Sequence, residues 1–426
     1  MDDTTTQGKT SHLALESPAR ANGRLRQTFA SLKYRNYRLW FIGQLVSLFG
    51  TWMQQTAQGY LVFELTHSPV YLGYVGFAAG VPSWLFMLYA GVVADRMSRR
   101  TLLLITQTTM MVLAFVLAAL TALQLVQPWH IIALAFCLGV ANAFDAPARL
   151  AFVTDMVERE DLTNAIALNA TMFNSATAVG PAVAGVTYAL LGPAWCFTIN
   201  GVSFLAVIGA LLLMRLPPIV RAPHRASALA DLKHGIAYAL SEPIIRTLIS
   251  LVTVISLFGV SFVTLFPAWA VKVLGGDATT NGLLQAARGV GALGSALFIA
   301  SLGRFKFKGR LLTLGTFALP ILLLAFSAMR WLPLSLLTLV GVGAAFILIL
   351  NLANALLQTE VPDELRGRVM SVYSFTFFGF LPIGSLWAGA IAERAGEPLA
   401  VILGAAVILV AVVLYWLFVP RLRALE

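Results

Sequence analysis

Residues 91–100 read GVVADRMSRR, in which a glycine is followed by one acid and three arginines within ten positions. The stretch joins two long apolar runs, which extend near 70–94 and 101–125. A helix needs about 20 mostly apolar residues to cross the hydrocarbon core of a bilayer, and each run reaches that length. The pattern therefore predicts a short polar turn between two membrane-spanning helices.

The composition extends this prediction to the whole chain. Of the 426 residues, 59% are hydrophobic and 11% are charged, and the mean hydropathy is +0.82. Soluble domains carry about 25% charged residues, and a soluble fold of this length could not cover so much apolar surface. The net charge of +10 does not indicate a nucleic-acid-binding protein, because the basic residues lie in short clusters between the apolar runs.

Twelve apolar segments of spanning length occur along the chain. They predict an all-α membrane protein with twelve transmembrane helices in two pseudo-symmetric six-helix bundles. The predicted domains are a cytosolic N-terminal tail (1–38), a first bundle (39–214), a central cytosolic loop (215–243), a second bundle (244–419) and a cytosolic C-terminal tail (420–426). The segments lie near 39–63, 70–94, 101–125, 129–153, 163–190, 194–214, 245–273, 279–302, 311–329, 333–357, 368–392 and 398–419.

The basic residues predict the orientation. If both termini are cytosolic, the outer loops hold only Lys272, Arg330 and Arg394 of the 29 Lys and Arg residues, and Arg288 falls inside a segment. The remaining 25 then lie in the cytosol, as the positive-inside rule requires. We therefore expect a multi-pass protein of the cell inner (plasma) membrane with both termini in the cytosol.

Two stretches indicate that the halves are related. TDMVEREDLTNAIAL (154–168) follows the fourth segment and TEVPDELRGRVMSV (359–372) follows the tenth, about 200 positions later. This is the spacing of a six-helix repeat, and two parallel six-helix repeats are typical of one class of secondary transporter.

The turn at 91–100 resembles the GxxxDRxGRR loop signature of the major facilitator superfamily, with Ser98 at a position where that family usually has glycine. Residues 36–73 and 143–157 further resemble the branch that contains enterobactin exporters and transmembrane secretion effectors. The resemblance covers nearly the whole chain, from Tyr34 to about Pro420. It implies proton-driven export of small molecules, commonly drugs or siderophores.

The resemblance also implies a conformational latch at the cytosolic ends of the helices. In the family, an acid on the fourth helix pairs with the arginine cluster, which here would join Asp145 to Arg96, Arg99 or Arg100. The simpler alternatives are a basic anchor with a turn, and a structural ion pair without a role in switching. The candidate latch residues are Gly91, Asp95, Arg96, Arg99, Arg100, Asp145 and Arg149.

Residues 178–185 read AVGPAVAG and resemble a relaxed form of an antiporter motif on the fifth helix. Gly180, Pro181 and Gly185 would let helices approach closely and bend. Ordinary small-residue packing is the alternative.

Few residues inside the segments could bind a proton or a cargo. Only Glu64 and Asp145 are acids within or at the edge of an apolar segment, so either one carries a proton or the coupling is indirect. Arg288 lies inside the eighth segment and could meet an anionic or carbonyl-rich cargo, pair with an acid, or bond to backbone carbonyls. Amides could line a cavity or bond between helices; the candidates are Gln54, Gln58, Asn354 and Gln358.

No sequence pattern indicates an enzyme, a metal site or a cofactor. Gly8-Lys9-Thr10 ends like a phosphate-binding loop, but Asp3 occupies the position of its first glycine. We expect a small-molecule substrate, protons and membrane lipid as partners, no nucleic acid, and a monomer. The predicted function is secondary active export of small amphipathic molecules by alternating access and proton antiport. The alternatives are a facilitator or lipid flippase of the same fold, and a membrane sensor or scaffold that transports nothing.

Overall fold

A computed structural model describes residues 29–215, 228–303 and 307–421. Within these ranges, the side chains of residues 87, 88, 92, 94–96 and 228–231 lie outside the described part. The described ranges contain helices and no strands. In chain order the long helices are α1 (Arg35–Thr66), α2 (Pro69–Arg96), α3 (Arg99–Ala122), α4 (Pro128–Phe152), α5 (Leu162–Leu191), α6 (Pro193–Leu213), α7 (Pro243–Val273), α8 (Ala278–Leu302), α9 (Lys308–Ala328), α10 (Leu332–Glu360), α11 (Asp363–Ala395) and α12 (Glu397–Phe418).

Nine of the described helices are long and apolar enough to cross a membrane, namely α3, α4, α6, α7, α8, α9, α10, α11 and α12. They confirm the predicted all-α membrane fold. The helices α1, α2 and α5 are of comparable length, at 32, 28 and 30 residues. Helix α1 is less apolar because it carries four glutamines. The count of twelve spanning helices stays a prediction.

The helices pack with a regular offset of six. Helix α1 packs on α5 and α6, α2 on α4, and α3 on α4 and α6. The same pairs recur six helices later, with α7 on α11 and α12, α8 on α10, and α9 on α10 and α12. The two groups meet mainly through the pairs α2–α11 and α5–α8. These two pairs are equivalent under the same offset, because α8 is the counterpart of α2 and α11 is the counterpart of α5. This arrangement is the pseudo-symmetry expected of two parallel repeats.

Close backbone contacts repeat in the same way. A Cβ atom on Gly139 of α4 would collide with the carbonyl oxygen of Ala79 on α2. In the second group, a Cβ atom on Gly343 of α10 would collide with the carbonyl oxygen of Arg288 on α8. Because only glycine permits such approach, the repeat extends to single positions within the packed helices.

Two details differ from the sequence prediction. Helix α1 begins at Arg35, inside the predicted tail, and the predicted central loop contains a helix from Ala228 to Ser241, called here the connecting helix. The connecting helix buries Gly235 and Ala239 and packs on α11, and its exposed Lys233 and His234 account for its polar sequence.

Helix α7 is not a continuous α-helix. It passes from an α-helix (Pro243–Val254) through a π-helical turn (Ile255–Gly259) and a 3-10 turn (Ser261–Leu265). Gly259 and Pro267 weaken the regular hydrogen bonding in this part of the helix. The serines on either side of the break, Ser256 and Ser261, have buried hydroxyls without a described hydrogen-bond partner.

A polar clamp holds the beginning of α1 against the beginning of α5. Lys33 Nζ lies 2.6 Å from Asp161 Oδ2, and the hydroxyl of Tyr34 donates to the same oxygen at 2.9 Å. Two hydrogen bonds lower the pKa of Asp161, and the one from Lys33 has a larger effect than the one from Tyr34. These contacts hold the beginning of α1 beside the connection between α4 and α5.

Candidate functional site

The two helix groups, called here the first bundle (α1–α6) and the second bundle (α7–α12), touch along α5 and α8 through glycines. A Cβ atom on Gly185 would lie 2.7 Å from the carbonyl oxygen of Ala278, and one on Gly289 would lie 2.6 Å from that of Thr177. Gly282 lies equally close to the carbonyl oxygen of Pro181. The predicted close approach at Pro181 and Gly185 is thus present, while Gly180 packs against Trp52 of α1.

The pair α2–α11 makes the matching contact on the other side of the molecule. A Cβ atom on Gly73 would lie 2.8 Å from the carbonyl oxygen of Ser385, and one on Gly389 would lie 2.8 Å from that of Pro69. Gly80 lies against the ring of Pro382. Gly73 corresponds to Gly282, and Gly80 to Gly289, at the same offset of 209 positions.

All of these contacts lie toward one end of the molecule. This end, called here the closed end, carries the connections at Ser68, Gly192, Gly275–Gly276 and Gly396. The beginning of α1 at Arg35 and the end of α12 at Phe418 lie at the opposite end, called here the terminal end.

A carboxylate of the second bundle caps a helix of the first bundle at the closed end. The side chain of Ser68, the N-cap residue of α2, accepts no hydrogen bond from that helix. Instead its hydroxyl donates to Glu393 Oε2 at 2.6 Å, and the Val70 N–H points to the same oxygen at 3.4 Å. A negative group is stabilised at a helix N-terminus, so Glu393 of α11 takes the place of the missing cap.

A small polar layer lies between α1 and α8. The hydroxyl of Thr56 donates to Gln285 Oε1 at 3.4 Å, and Asn281 Nδ2 donates to the carbonyl oxygen of Thr56 at 3.5 Å. Both hydrogen bonds are long and therefore weak. Among the described residues, no ion pair accompanies them between α1 and α8.

Arg288 lies on α8 beyond this layer and makes no hydrogen bond or ion pair with the described residues. Its Nε atom is buried and lacks a partner, while the side chain as a whole is partly exposed. Among the described residues, Arg288 therefore neither bonds to backbone carbonyls nor pairs with an acid, which were two of the alternatives.

Glu64 and Tyr188 form a pair within the first bundle near the closed end. The hydroxyl of Tyr188 donates to Glu64 Oε2, and Tyr60 packs edge-on against Tyr188 with ring centroids 5.0 Å apart. Tyr188 is 7% exposed whereas Glu64 is exposed. Glu64 is thus an accessible carboxylate that one buried hydroxyl holds in place.

Asp145 is deeply buried, at 1% exposure, and its oxygens are well occupied. Thr106 and Gln107 of α3 donate to Oδ1 at 2.9 and 2.8 Å, and Arg149 Nε lies 3.5 Å from Oδ2. The expected pairing of Asp145 with Arg99 or Arg100 is wrong in this conformation, because both arginines have other partners and Asp145 has a nearer cation one helical turn away on its own helix.

The described arginines of the 91–100 motif bind within the first bundle. Arg99 Nη1 contacts Asp155 Oδ1 at 2.7 Å and the carbonyl oxygen of Ala151 at 2.6 Å. Arg100 Nη2 donates to the carbonyl oxygen of Leu212, at the end of α6. These contacts bring the end of α4 and the end of α6 to the beginning of α3.

Of the remaining motif positions, Ser98 and Gly91 are described by the structure. Ser98, where the family usually has glycine, accepts a hydrogen bond from the Thr101 N–H at 3.2 Å and so caps α3. Gly91, a candidate latch residue, makes no close helix contact here, since a Cβ atom there would meet no described atom within 4 Å. The side chains of Asp95 and Arg96 lie outside the described part.

The candidate amides behave differently in the two bundles. Gln54 accepts from Asn200 Nδ2 at 2.6 Å, and both Gln54 and Gln58 are buried, so neither lines an open space in this conformation. On α10, Gln358 donates to Asn354, and Gln358 is exposed near the terminal end. The alternative of hydrogen bonds between helices is therefore the observed one for Gln54.

Several residues of the site were missed from the sequence. Asp155, the acid that binds Arg99, lies in the TDMV stretch that indicated the repeat. It was passed over because Asp145, at the edge of an apolar segment, fitted the expected membrane acid better. Glu393 lies just after the predicted segment 368–392, and Asn281 lies inside the segment 279–302. Their roles depend on which helix ends meet in three dimensions, and no local pattern encodes that.

Comparison with known proteins identifies relatives along almost the whole chain. The family model described as transmembrane secretion effector matches residues 26–426. The staphyloferrin A transporter of Staphylococcus aureus is 26% identical over 84% of this chain and 90% of its own length. The multidrug efflux pump Tap of Mycolicibacterium fortuitum is 27% identical over 86% of this chain and 91% of its own length.

The fold also matches solved structures. The crystal structure of a bacterial homologue of the human lysosomal transporter Spinster, in an inward-facing and unoccupied conformation, superposes with a TM-score of 0.71. It covers 92% of this chain and 98% of that one at 14% identity, so the likeness concerns the fold alone.

Proposed function

Because this chain belongs to the transmembrane secretion effector family of the major facilitator superfamily, we propose that it exports small amphipathic molecules by alternating access driven by proton antiport. The chain is a transporter and not an enzyme, and its relatives include exporters of siderophores and drugs. The finer statements on mechanism, cargo and energy source are the proposal.

The observation that carries the proposal is the closed end. There the bundles meet through glycines, two long hydrogen bonds, one exposed cap and apolar side chains, and Lys272 of the second bundle lies over the Phe63 ring of the first. Such contacts hold one conformation and break without uncovering a buried ion pair. A transporter that alternates between two states needs surfaces of this kind.

The orientation follows from the charge distribution. The positive-inside rule places the terminal end in the cytosol and the closed end on the outer face. In this conformation cargo would therefore reach the space between the bundles from the cytosol, which is the side from which an exporter loads.

Glu64 is the carboxylate best placed to carry the proton. It is exposed and held by one hydroxyl, so it can take up and release a proton without the loss of an ion pair. Asp145 is saturated by Thr106, Gln107 and Arg149, and we assign it to the conformational machinery of α3 and α4.

Uptake into inverted membrane vesicles tests the function. With an acidified lumen, vesicles that contain the protein should accumulate labelled neutral and anionic amphipathic compounds, and an uncoupler should abolish the accumulation. Equilibration without accumulation would indicate a facilitator, and no movement beyond that of protein-free vesicles would indicate a sensor or scaffold. Either result overturns proton-driven export.

A deletion strain tests the cargo class in cells. Increased susceptibility to drugs or reduced secretion of a siderophore is expected when the gene is removed and is expected to be reversed by its return. An unchanged profile across both panels would contradict a role in export.

A further inference from the structure

Arg288 belongs to a polar stripe that faces the opposite bundle. Asn281, Gln285 and Arg288 are spaced i, i+4 and i+7, so their side chains share one face of α8. Asn281 and Gln285 contact Thr56 of the first bundle. Arg288 continues the stripe by about one helical turn toward the terminal end.

The backbone around Arg288 is fixed by close packing. Its carbonyl oxygen lies against Gly343 of α10, and its neighbour Gly289 lies against the carbonyl oxygen of Thr177 on α5. The backbone of α8 is therefore closely packed on both sides at this point, which fixes the position from which the Arg288 side chain projects.

The charge of Arg288 is not compensated within the described protein. Arginine stays protonated in proteins, and an unpaired charge at this depth is costly. The Nε atom is buried without a partner. Since the side chain is partly exposed and makes no described hydrogen bond, its other donors reach open space.

Four described acids within or at the ends of the membrane segments have partners other than Arg288. Asp145 pairs with Arg149, and Glu64 accepts from Tyr188. At the closed end, Glu393 binds Ser68 and Glu397 pairs with Lys272. Within the described part of the chain, Arg288 is thus a cation without a partner anion.

We propose that the carboxylate of an anionic cargo supplies this missing charge, bound by the guanidinium group of Arg288 with the amide of Gln285 beside it. The inference rests on the proposed export function, since it names the class of cargo. Arginine and carboxylate form two parallel hydrogen bonds in a planar arrangement. One uncompensated cation selects for one carboxylate on an otherwise amphipathic molecule.

Binding of a matched pair of probes tests this site. The purified full chain in detergent is dialysed to equilibrium against tritiated 1-naphthoate or 1-naphthamide, which share size and ring but differ in charge. Wild type should bind naphthoate on the order of tenfold more tightly than naphthamide. Arg288→Gln should bind the two probes equally, and Arg330→Gln, at a remote closed-end arginine, should keep the full preference.

Equal binding of the two probes by wild type would overturn the proposal. So would an unchanged preference in folded Arg288→Gln, with folding judged by size-exclusion elution and thermal melting. If that variant does not fold, Arg288→Lys decides. An ammonium group cannot form the two parallel hydrogen bonds, so the preference should fall severalfold, and an unchanged preference would contradict the site.

Vesicle uptake separates this inference from the proposed function. Accumulation of neutral probes by wild type, together with no preference for naphthoate in dialysis, would refute the carboxylate site and leave export standing. A naphthoate preference without any accumulation would keep the site and refute export.

Discussion

Among the glycines of α2, Gly91 has no contact to explain it. Gly73, Gly76 and Gly80 lie against α11, whereas a Cβ atom on Gly91 would meet no atom of the described part of the chain within 4 Å. Gly91 lies toward the terminal end, where the proposed cycle would bring the bundles together in the other state. We infer that the glycine serves that second state.

Gly91→Leu should therefore block transport without harming the fold. Leucine is a better helix former than glycine by about 1 kcal/mol, so insertion and thermal stability should be unchanged. Closure of the terminal end should be hindered, with transport reduced about tenfold or more, measured as vesicle uptake. Gly209→Leu, at another glycine with open surroundings, is the control. Normal uptake by Gly91→Leu would remove the assigned role.

Asp145→Asn should impair transport while insertion stays intact. The neutral side chain loses its attraction to Arg149, whose side chain is 27% exposed and can turn to water, so the destabilisation should be well below the roughly 3–5 kcal/mol of a fully buried pair. The measurement is uptake per inserted molecule. Recovery of uptake in Asp145→Asn/Arg149→Gln would show that the pair is only structural, and normal uptake in the single variant would refute the role of Asp145.

At the scale of helices, the glycine contacts of α8 carry a direct test. Gly282→Ala would place a methyl group against the carbonyl oxygen of Pro181, and overpacking of this kind costs about 1–3 kcal/mol. The fraction of molecules in which the closed end is open should rise about fivefold or more. The reporter is the rate at which an impermeant maleimide modifies a cysteine at Thr279, beside Gly185. Gly294→Ala, on the same helix with open surroundings, should leave the rate unchanged. An equal rate in both variants would contradict a gating role for this contact.

A smaller effect is expected when the cap formed by Ser68 and Glu393 of α11 is removed. Because the cap is exposed, Glu393→Gln should raise the same labelling rate by only about two- to fivefold. Glu364→Gln, an exposed acid in the first turn of the same helix, should have no effect. A rate that does not change in Glu393→Gln would show that the cap does not hold the bundles together.

Sequence predicts helices better than it predicts their meeting points. The apolar runs predicted the bounds of the long described helices to within a few residues, because burial in lipid requires only length and hydropathy. The interruption of α7 and the pairing of Arg99 with Asp155 escaped prediction. The first depends on Gly259 and Pro267 in the context of packed neighbours, and the second depends on how the ends of two helices come together.

For the molecule as a whole, the charge distribution predicts topology. Single cysteines at Ser98 and Ser241 should react with an impermeant reagent only from the cytosol, and those at Gly275 and Gly396 only from outside, in a background without Cys137 and Cys196. The physical reason is the cytosolic excess of Lys and Arg. Labelling of Ser98 and Ser241 from opposite faces would refute the two-bundle scheme, since both lie at the terminal end.

The offset of six helices has a consequence for how the chain could be made. Eight of the twelve long helices find their principal neighbours inside their own bundle, whereas α2, α5, α8 and α11 form the extensive contacts between the bundles. A gene cut between Leu213 and Ala228 would encode two polypeptides, each with a complete set of internal neighbours. Produced together in one cell, they should reassemble into a working exporter through the two extensive contacts α2–α11 and α5–α8.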